Sequence, residues 1–333
     1  MVTKREPSRK IKISATGFYA PEKILTNADL EKMIDTTDEW IMTRTGIKER
    51  HIASPEQATS DLCIEAARQT LRNGGYEVED IDLIIVATST PDTIFPSTAC
   101  WVQHGLKADH VAAFDISAGC TGFLYGMIVA EGLILSGVSR RILLVGGELL
   151  TKITNWKDRS TCVLFGDAAG AAVLEESHDE SGMLSHFWRA DGSLGSLLYL
   201  PAGGTRLPAS EATVAEDLHY LQMKGNEVFK HAVKRMGEAA VEVLKRAGLK
   251  KEDVRWLIPH QANTRIIDAT GERLHLPSEK VYVNIQRYGN VSVASIPISL
   301  HELAEAGQLE KGDIVLMDAF GAGFTWAAIA YRW

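Results

Sequence analysis

The sequence predicts an α/β protein that is built from two related halves. The segments Leu71–Ile85 (LRNGGYEVEDIDLII) and Leu244–Ile258 (LKRAGLKKEDVRWLI) place Leu, Gly, Glu-Asp and an apolar run at equal spacing, 173 residues apart. Downstream, residues 141–148 (RILLVGGE) have their partner in residues 311–320 (KGDIVLMDAF), at nearly the same offset. Short Val/Ile/Leu strands that alternate with longer amphipathic stretches then predict layers of helix and mostly parallel sheet.

Each repeated segment contains one helix and one strand. An amphipathic stretch ends at Gly75 or Gly248, which can take the left-handed conformation of a helix C-cap, and a short apolar strand follows. The repeat divides the chain into a first half, residues 1–178, and a second half, residues 179–333. Residues 175–215 are rich in Ser, Gly and Pro, and we expect them to form an irregular join.

Composition excludes several classes of protein. With 333 residues, 45% of them hydrophobic, the chain can bury one large core or two closely packed halves. A net charge of −8 without any Lys/Arg run argues against general binding to nucleic acid or anionic membranes. No apolar run reaches membrane-spanning length, so we expect a soluble cytoplasmic protein. Four cysteines without a CxxC pair predict neither a disulfide framework nor a zinc site.

Cys120 is the candidate nucleophile. It lies in Val111–Gly137, which we interpret as a buried strand, a tight turn of small residues and a helix that begins at the cysteine. At a helix N-terminus the dipole and free N–H groups favour the thiolate, although a small buried cysteine would give the same local pattern. Small residues recur every four positions along this helix, so one of its faces can pack closely. The remaining cysteines lie in apolar stretches typical of simple packing: Cys63, Cys100 and Cys162.

Three segments of the second half supply possible partners. His260 follows the repeated strand in WLIPHQAN, and Asn290 lies in RYGNVSVAS, the counterpart of the Cys120 turn. Strand ends are where α/β active sites assemble. Small residues in AFGAGFTW (319–326) let backbone N–H groups approach a ligand oxygen. Each segment alone is more typical of an ordinary strand end or turn, and only their combination on duplicated elements favours a site.

Together these segments resemble β-ketoacyl-acyl carrier protein synthase III, of the thiolase-fold condensing enzymes, over nearly the whole chain. The resemblance extends to further motifs and implies a duplicated thiolase-like fold with α-β-α-β-α layers and two pseudo-twofold-related halves. It makes Cys120 the nucleophile and assigns stabilisation of an enolate to His260 and Asn290. Cys120 and Ala322 would supply oxyanion-hole N–H groups, although the family more often has glycine at the latter position. The further motifs are TTDEWIMTRTGIKERHIA (36–53), FPSTAC (95–100), DRSTCVLFGDAAGAAVL (158–174) and GNEVFK (225–230).

The resemblance implies decarboxylating condensation of a short acyl-CoA, acetyl-CoA first among them, with malonyl-acyl carrier protein. Neither a metal nor a redox cofactor is implied. Trp40 and Arg159 would hold the CoA adenine between them, Arg44 would bind its phosphates, and Asn263 would line the pantetheine channel.

Contacts with the acidic carrier protein are implied for Lys230, Arg265 and Arg273, although Glu272 stands where some members have a base. Phe95 would cross the twofold axis of a homodimer and form the floor of the acyl pocket. A bulky floor predicts primers of about two to four carbons.

Other functions remain open at this point. The same fold could serve a synthase of secondary metabolism or a 3-hydroxy-3-methylglutaryl-CoA synthase, and the latter would be expected to have a general-acid Glu beside Cys and His. A nucleotide binder is disfavoured because neither GAG nor VGGELLTK has the required spacing. A non-catalytic acyl-binding scaffold would not need the full Cys-His-Asn set.

Overall fold

A computed structural model describes residues 9–333. The repeats form two main sheets with the strand orders β1-β7-β6-β4-β5 and β8-β13-β12-β11, and two short strand pairs lie outside them. Equivalent strands occupy equivalent places in the two sheets, as a duplicated unit requires. The strands are β1 (Ile11–Tyr19), β2 (Ile24–Thr26), β3 (Glu49–His51), β4 (Leu83–Ala87), β5 (Ala112–Ile116), β6 (Arg141–Leu149), β7 (Asp167–Glu176), β8 (Gly182–Ala190), β9 (Leu198–Tyr199), β10 (Gln222–Met223), β11 (Val254–Pro259), β12 (Ile314–Gly321) and β13 (Thr325–Arg332).

The helices complete five layers, α-β-α-β-α, as predicted. Helices α5 and α11 lie between the sheets, α3 and α4 cover the first sheet, and α8 and α9 cover the second. Close packing of α5 depends on its small residues, since a Cβ on Gly126 would lie 2.5 Å from a methyl group of Leu144 on β6. The helices are α1 (Asn27–Glu31), α2 (Asp38–Thr45), α3 (Thr59–Gly74), α4 (Thr98–Gly105), α5 (Gly122–Leu135), α6 (Arg159–Cys162), α7 (Glu211–Ala215), α8 (Gly225–Ala247), α9 (Thr264–Leu274), α10 (Ile285–Tyr288) and α11 (Ser295–Glu305).

The prediction of mostly parallel sheets is wrong. Strand β4 is parallel to β5 and β6, and β11 is parallel to β12. The pairs β6–β7, β7–β1, β12–β13 and β13–β8 are antiparallel. In the second half the cause is visible in the chain, because β13 follows β12 after only residues 322–324, a connection too short for parallel strands.

The expected irregular join also contains an unpredicted strand. Strand β8 pairs with β13 along its length, although we expected residues 175–215 to be irregular. Polar and half-exposed side chains on β8 obscure its alternation. Strand β5, expected to be buried, is instead a partly exposed edge strand of its sheet in this single chain.

Candidate active site

A cavity of about 790 Å³ brings Cys120, His260 and Asn290 together. Cys120 lies in the 3₁₀ turn Gly119–Thr121 between β5 and α5, and His260 directly follows β11. Asn290 lies between α10 and the 3₁₀ turn Ser292–Ala294 that leads into α11. The two halves therefore present equivalent turns to one cavity, where the Ser292 hydroxyl oxygen lies 3.2 Å from Cys120 Sγ, within hydrogen-bond distance.

The Cys120 thiol is protonated at neutral pH. Burial and, to a smaller degree, the nearby Glu148 carboxylate together raise its pKa to about 12, although a hydrogen bond from Ser292 to the thiolate lowers it. Desolvation therefore opposes the preference for the thiolate that a helix N-terminus gives. Nucleophilic attack by this sulfur requires a proton acceptor.

His260 is held as a neutral imidazole. Burial lowers its pKa to about 3. Its Nδ1 lies 2.8 Å from Ser295 Oγ, and the Gln261 N–H donates weakly to that same oxygen at 3.4 Å. Among residues 9–333, Nδ1 is the one acceptor within hydrogen-bond distance of the Ser295 hydroxyl, so the serine hydrogen is directed to Nδ1, which assigns the imidazole proton to Nε2. The Nε2–H group is then available to the cavity as a donor.

The side-chain amide of Asn290, like the imidazole of His260, is oriented with a hydrogen-bond donor free. Its Oδ1 accepts a hydrogen bond from the Ser292 N–H at 2.9 Å, so the amide nitrogen is left to donate elsewhere. The backbone of Asn290 is tied to Leu164 and Gly166 on both sides. Two preorganised N–H donors, from His260 and Asn290, therefore line the cavity.

The glycine loop after β12 lies against the Cys120 turn. A Cβ added to Gly321 would lie 2.5 Å from Cys120 N, and one added to Gly119 would lie 2.8 Å from Ala322 N. The Thr325 hydroxyl joins the two loops by donating to Ala118 O at 2.8 Å. The amides of Cys120 and Ala322 are consequently neighbours at the wall of the cavity, as an oxyanion hole requires.

The residues implied for CoA binding cluster at one side of the cavity. Trp40, Arg44 and Asn263 line it, and Arg159 stacks on Trp40 with its guanidinium carbon 4.0 Å from the ring centroid. An adenine between them would need about 7 Å, twice a carbon contact distance, so Arg159 must move before it can sandwich a base. Asn263 caps α9 and donates to Arg44 O at 2.9 Å, which joins α9 to α2.

The residues implied for the carrier protein lie on the two outer helices of the second half. Lys230 on α8 is exposed and paired with Glu227 at 2.8 Å. Arg265 and Arg273 are exposed on α9, and Arg265 also lines the cavity. Glu272 is exposed beside Arg273, so this part of the rim carries mixed charge.

Phe95 is separate from the cavity of its own chain. Its side chain is 83% exposed, and it is absent from the cavity wall. A role as the pocket floor would therefore require a second copy of the chain.

Three polar residues of the site were missed in the sequence. Ser292 and Ser295 lie within five residues of Asn290, and small hydroxyl residues there were interpreted only as a helix start. Glu148 is fully buried on β6 and accepts hydrogen bonds from Thr90 and Ser292. A lone carboxylate that ends an apolar run, as in RILLVGGE, is the signal that could have identified it.

Within residues 9–333, no group of three or more His, Cys, Asp or Glu side chains is placed to hold a metal ion. Over the same range, no helix combines the length and apolar character needed to cross a membrane.

Comparison with known proteins places the chain in a family. Residues 114–192 match the family model for 3-oxoacyl-acyl-carrier-protein (ACP) synthase III, and residues 244–333 match the model for its C-terminal part. The β-ketoacyl-acyl-carrier-protein synthase III of Caldanaerobacter subterraneus subsp. tengcongensis is 57% identical over 96% of this chain and 97% of its own. The enzyme of the same name from Desulfitobacterium hafniense is 53% identical over 96% and 97%.

Solved structures agree with these matches. The 3-oxoacyl-acyl-carrier-protein synthase III of Aquifex aeolicus is 50% identical with a TM-score of 0.90, covering 98% of this chain and 100% of that one. The priming β-ketosynthase of the R1128 polyketide pathway is 35% identical with a TM-score of 0.88, covering 99% and 98%. The chain therefore belongs to the 3-oxoacyl-acyl-carrier-protein synthase III family of thiolase-fold condensing enzymes.

Proposed function

We propose that this protein condenses a short-chain acyl-CoA, acetyl-CoA first among them, with malonyl-acyl carrier protein. The products are 3-oxoacyl-acyl carrier protein, CoA and CO₂, and the reaction is the first condensation of fatty-acid synthesis. The observation that carries the proposal is the convergence of Cys120, His260 and Asn290 on one cavity, which Trp40 and Arg44 also line.

In the first half-reaction, Cys120 accepts the acyl group. Its sulfur attacks the thioester carbonyl, and the N–H groups of Cys120 and Ala322 bind the oxyanion until the CoA thiolate leaves. Trp40, Arg44, Arg159 and Asn263 bind the CoA portion. A covalent acyl-cysteine then retains the primer while the second substrate replaces CoA.

In the second half-reaction, His260 and Asn290 stabilise the enolate. As CO₂ leaves malonyl-acyl carrier protein, negative charge develops on the thioester oxygen, and both side chains can donate hydrogen bonds to it. Orientation of these donors by Ser295 and by the Ser292 N–H supports the assignment. The enolate carbon then attacks the acyl-cysteine and releases the 3-oxoacyl product.

We also propose a cytoplasmic homodimer whose subunits each consist of the halves 1–178 and 179–333. Exposed apolar side chains on β5, α4 and the loop before α4 support the dimer, because such a surface and an unpaired edge strand are normally covered. In the dimer, Phe95 would reach the acyl pocket of the other subunit. Lys230, Arg265 and Arg273 would bind the carrier protein. The exposed apolar residues are Ile94, Phe95, Trp101 and Phe114.

The half-reactions can be timed separately to test the assignment. In His260→Ala and Asn290→Ala, decarboxylation of malonyl-acyl carrier protein should fall on the order of 10²-fold or more, while transfer of acetyl from CoA to Cys120 persists. His178→Ala, at an exposed histidine, is the matched control. Variants that load acetyl poorly yet decarboxylate normally would reverse the roles. A primer panel tests whether the wild type instead prefers the starter units of a secondary pathway.

A further inference from the structure

A buried carboxylate is connected to the nucleophile through one hydroxyl group. Glu148 lies at 0% exposure near the end of β6, and the Ser292 hydroxyl is 3.2 Å from its Oε1. The same hydroxyl is 3.2 Å from Cys120 Sγ. Glu148 comes from the first half of the chain and Ser292 from the second, so this contact forms only where the two repeats meet.

The Ser292 hydroxyl has one hydrogen and two acceptors. It cannot donate to Glu148 and to Cys120 at the same time. When Glu148 is ionised, the hydroxyl donates to the carboxylate and can accept the S–H of Cys120. When Glu148 is protonated, it donates to Ser292 Oγ, and Ser292 in turn donates to a Cys120 thiolate. Each protonation state of Glu148 therefore favours the opposite state of the sulfur.

We propose that Glu148 accepts the Cys120 proton during acyl loading, through the Ser292 hydroxyl. The S–H proton passes to Ser292 Oγ while the proton of Ser292 passes to Glu148 Oε1, which leaves a thiolate, an unchanged hydroxyl and a neutral carboxylic acid. The sulfur then displaces CoA from the acyl group. This inference rests on the proposed function and adds to it the origin of the reactive thiolate.

Conservation of charge makes the relay favourable relative to direct ionisation. A proton lost from Cys120 to water would leave two negative groups in an enclosed site, whereas the relay keeps a single negative charge and moves it from oxygen to sulfur. Burial raises the pKa of Glu148 to about 7, so the carboxylate is a much stronger base than an exposed one and is still ionised in part at neutral pH.

The surroundings of Glu148 hold it without neutralising it. Within the described chain its hydrogen-bond partners are all uncharged: the hydroxyls of Thr88, Thr90 and Ser292 and the N–H of Ser89. The titratable groups packed nearby are Cys120 and, from α3 across the strand, Cys63, whose thiol pKa is raised by burial and by acids that include Glu148. Asp92 and Asp115, the other carboxylates of this region, are bound by Ser60 and by the N–H groups of Thr98 and Ala99.

His260 is the alternative proton acceptor, and its geometry argues against that role. Burial lowers its pKa to about 3, which makes the imidazole a weak base. Its contact with Ser295 also assigns the proton to Nε2, where the second half-reaction needs a donor. With Glu148 as acceptor, His260 keeps one protonation state throughout the cycle.

The test compares Glu148→Gln and Ser292→Ala with the wild-type protein. Alkylation of Cys120 by iodoacetamide needs no substrate, and its rate is followed from pH 5 to 10 together with acetyl loading and decarboxylation of malonyl-acyl carrier protein. We expect loading and alkylation at pH 7 to fall on the order of 10²-fold in both variants, with the alkylation profile displaced to higher pH. Decarboxylation should stay within a few fold. The double variant should be no slower than the slower single variant.

Two further variants separate a relay from a structural role. Ser292 has a φ of +49°, so Ser292→Gly removes the hydroxyl at a backbone conformation that glycine adopts without strain. Thr90→Val removes the 2.7 Å hydrogen bond to Glu148 but leaves the path to Cys120 intact. We expect Ser292→Gly to behave as Ser292→Ala. Thr90→Val removes a hydrogen bond that lowers the pKa of Glu148, so its alkylation profile should move modestly while most of the alkylation rate is retained. The relay would be overturned if Thr90→Val and Glu148→Gln lost the alkylation rate of Cys120 equally. It would also be overturned if the Glu148 and Ser292 variants had lower melting temperatures but unchanged alkylation profiles. A wild-type protein without malonyl decarboxylation would instead overturn the proposed function.

Discussion

Asp318 connects pH to the stability of this protein. Its side chain on β12 is fully buried, and both carboxyl oxygens have no hydrogen-bond partner among residues 9–333. Burial raises its pKa from 3.8 to about 8, so at neutral pH the carboxyl is protonated in the folded protein and ionised in the unfolded chain. The folded-state pKa is the higher one. The protonated Asp318 therefore makes its full contribution to the free energy of unfolding below about pH 4, and this contribution decreases as the pH rises to about 8.

The Asp318→Asn substitution removes the titration while keeping the shape of the neutral side chain. One pH unit in the middle of this window corresponds to about 1.4 kcal/mol, and the slope halves at the folded pKa, so the variant should gain about 2 kcal/mol over wild type between pH 6 and pH 8. The free energy of unfolding is measured by urea titration at each pH and at a fixed protein concentration. Asp109→Asn, at an exposed acid, controls for the lost charge. The reasoning is refuted if the stability difference between Asp318→Asn and wild type is equal at the two pH values.

Three further predictions concern the cavity and its surroundings. Gly321→Ala places a Cβ 2.5 Å from Cys120 N, so the rate of acetyl-enzyme formation should fall by about 10²–10³-fold; an unchanged rate would remove Cys120 N from the oxyanion hole. Trp40→Ala removes the ring under Arg159, so KM for acetyl-CoA should rise while malonyl decarboxylation is unchanged. Steady-state kinetics measure both constants, and a loss in kcat alone would contradict CoA binding at Trp40. Phe95→Thr should shift a graded acyl-CoA panel toward longer primers, at a cost of roughly 2–4 kcal/mol in unfolding free energy where the dimer buries the ring. A monomeric wild type, or one that prefers eight-carbon primers, would contradict that role.

Local patterns were enough to find the elements that carry the reactive groups. Cys120, His260 and Asn290 each follow a repeated strand or begin a repeated helix, and a strand end is readable from a few neighbouring residues. The repeat indicated two related α/β halves, and the resemblance to the condensing enzymes implied their five-layer arrangement. Strand β8 escaped detection because its half-exposed residues lack clean alternation, and the direction of β13 depends on a turn whose geometry the apolar pattern does not encode.

By itself, the sequence determined which residues could react and on which kinds of element they lie. Only the tertiary structure decided their protonation and their partners. Helix polarity alone suggests a thiolate at Cys120, yet enclosure by both halves raises the pKa of the thiol. Ser292 contacts Cys120 across 172 residues of chain, and its hydroxyl also reaches Glu148. Desolvation and hydrogen bonding depend on every group that surrounds an atom, and those groups come from distant parts of the chain that only folding brings together.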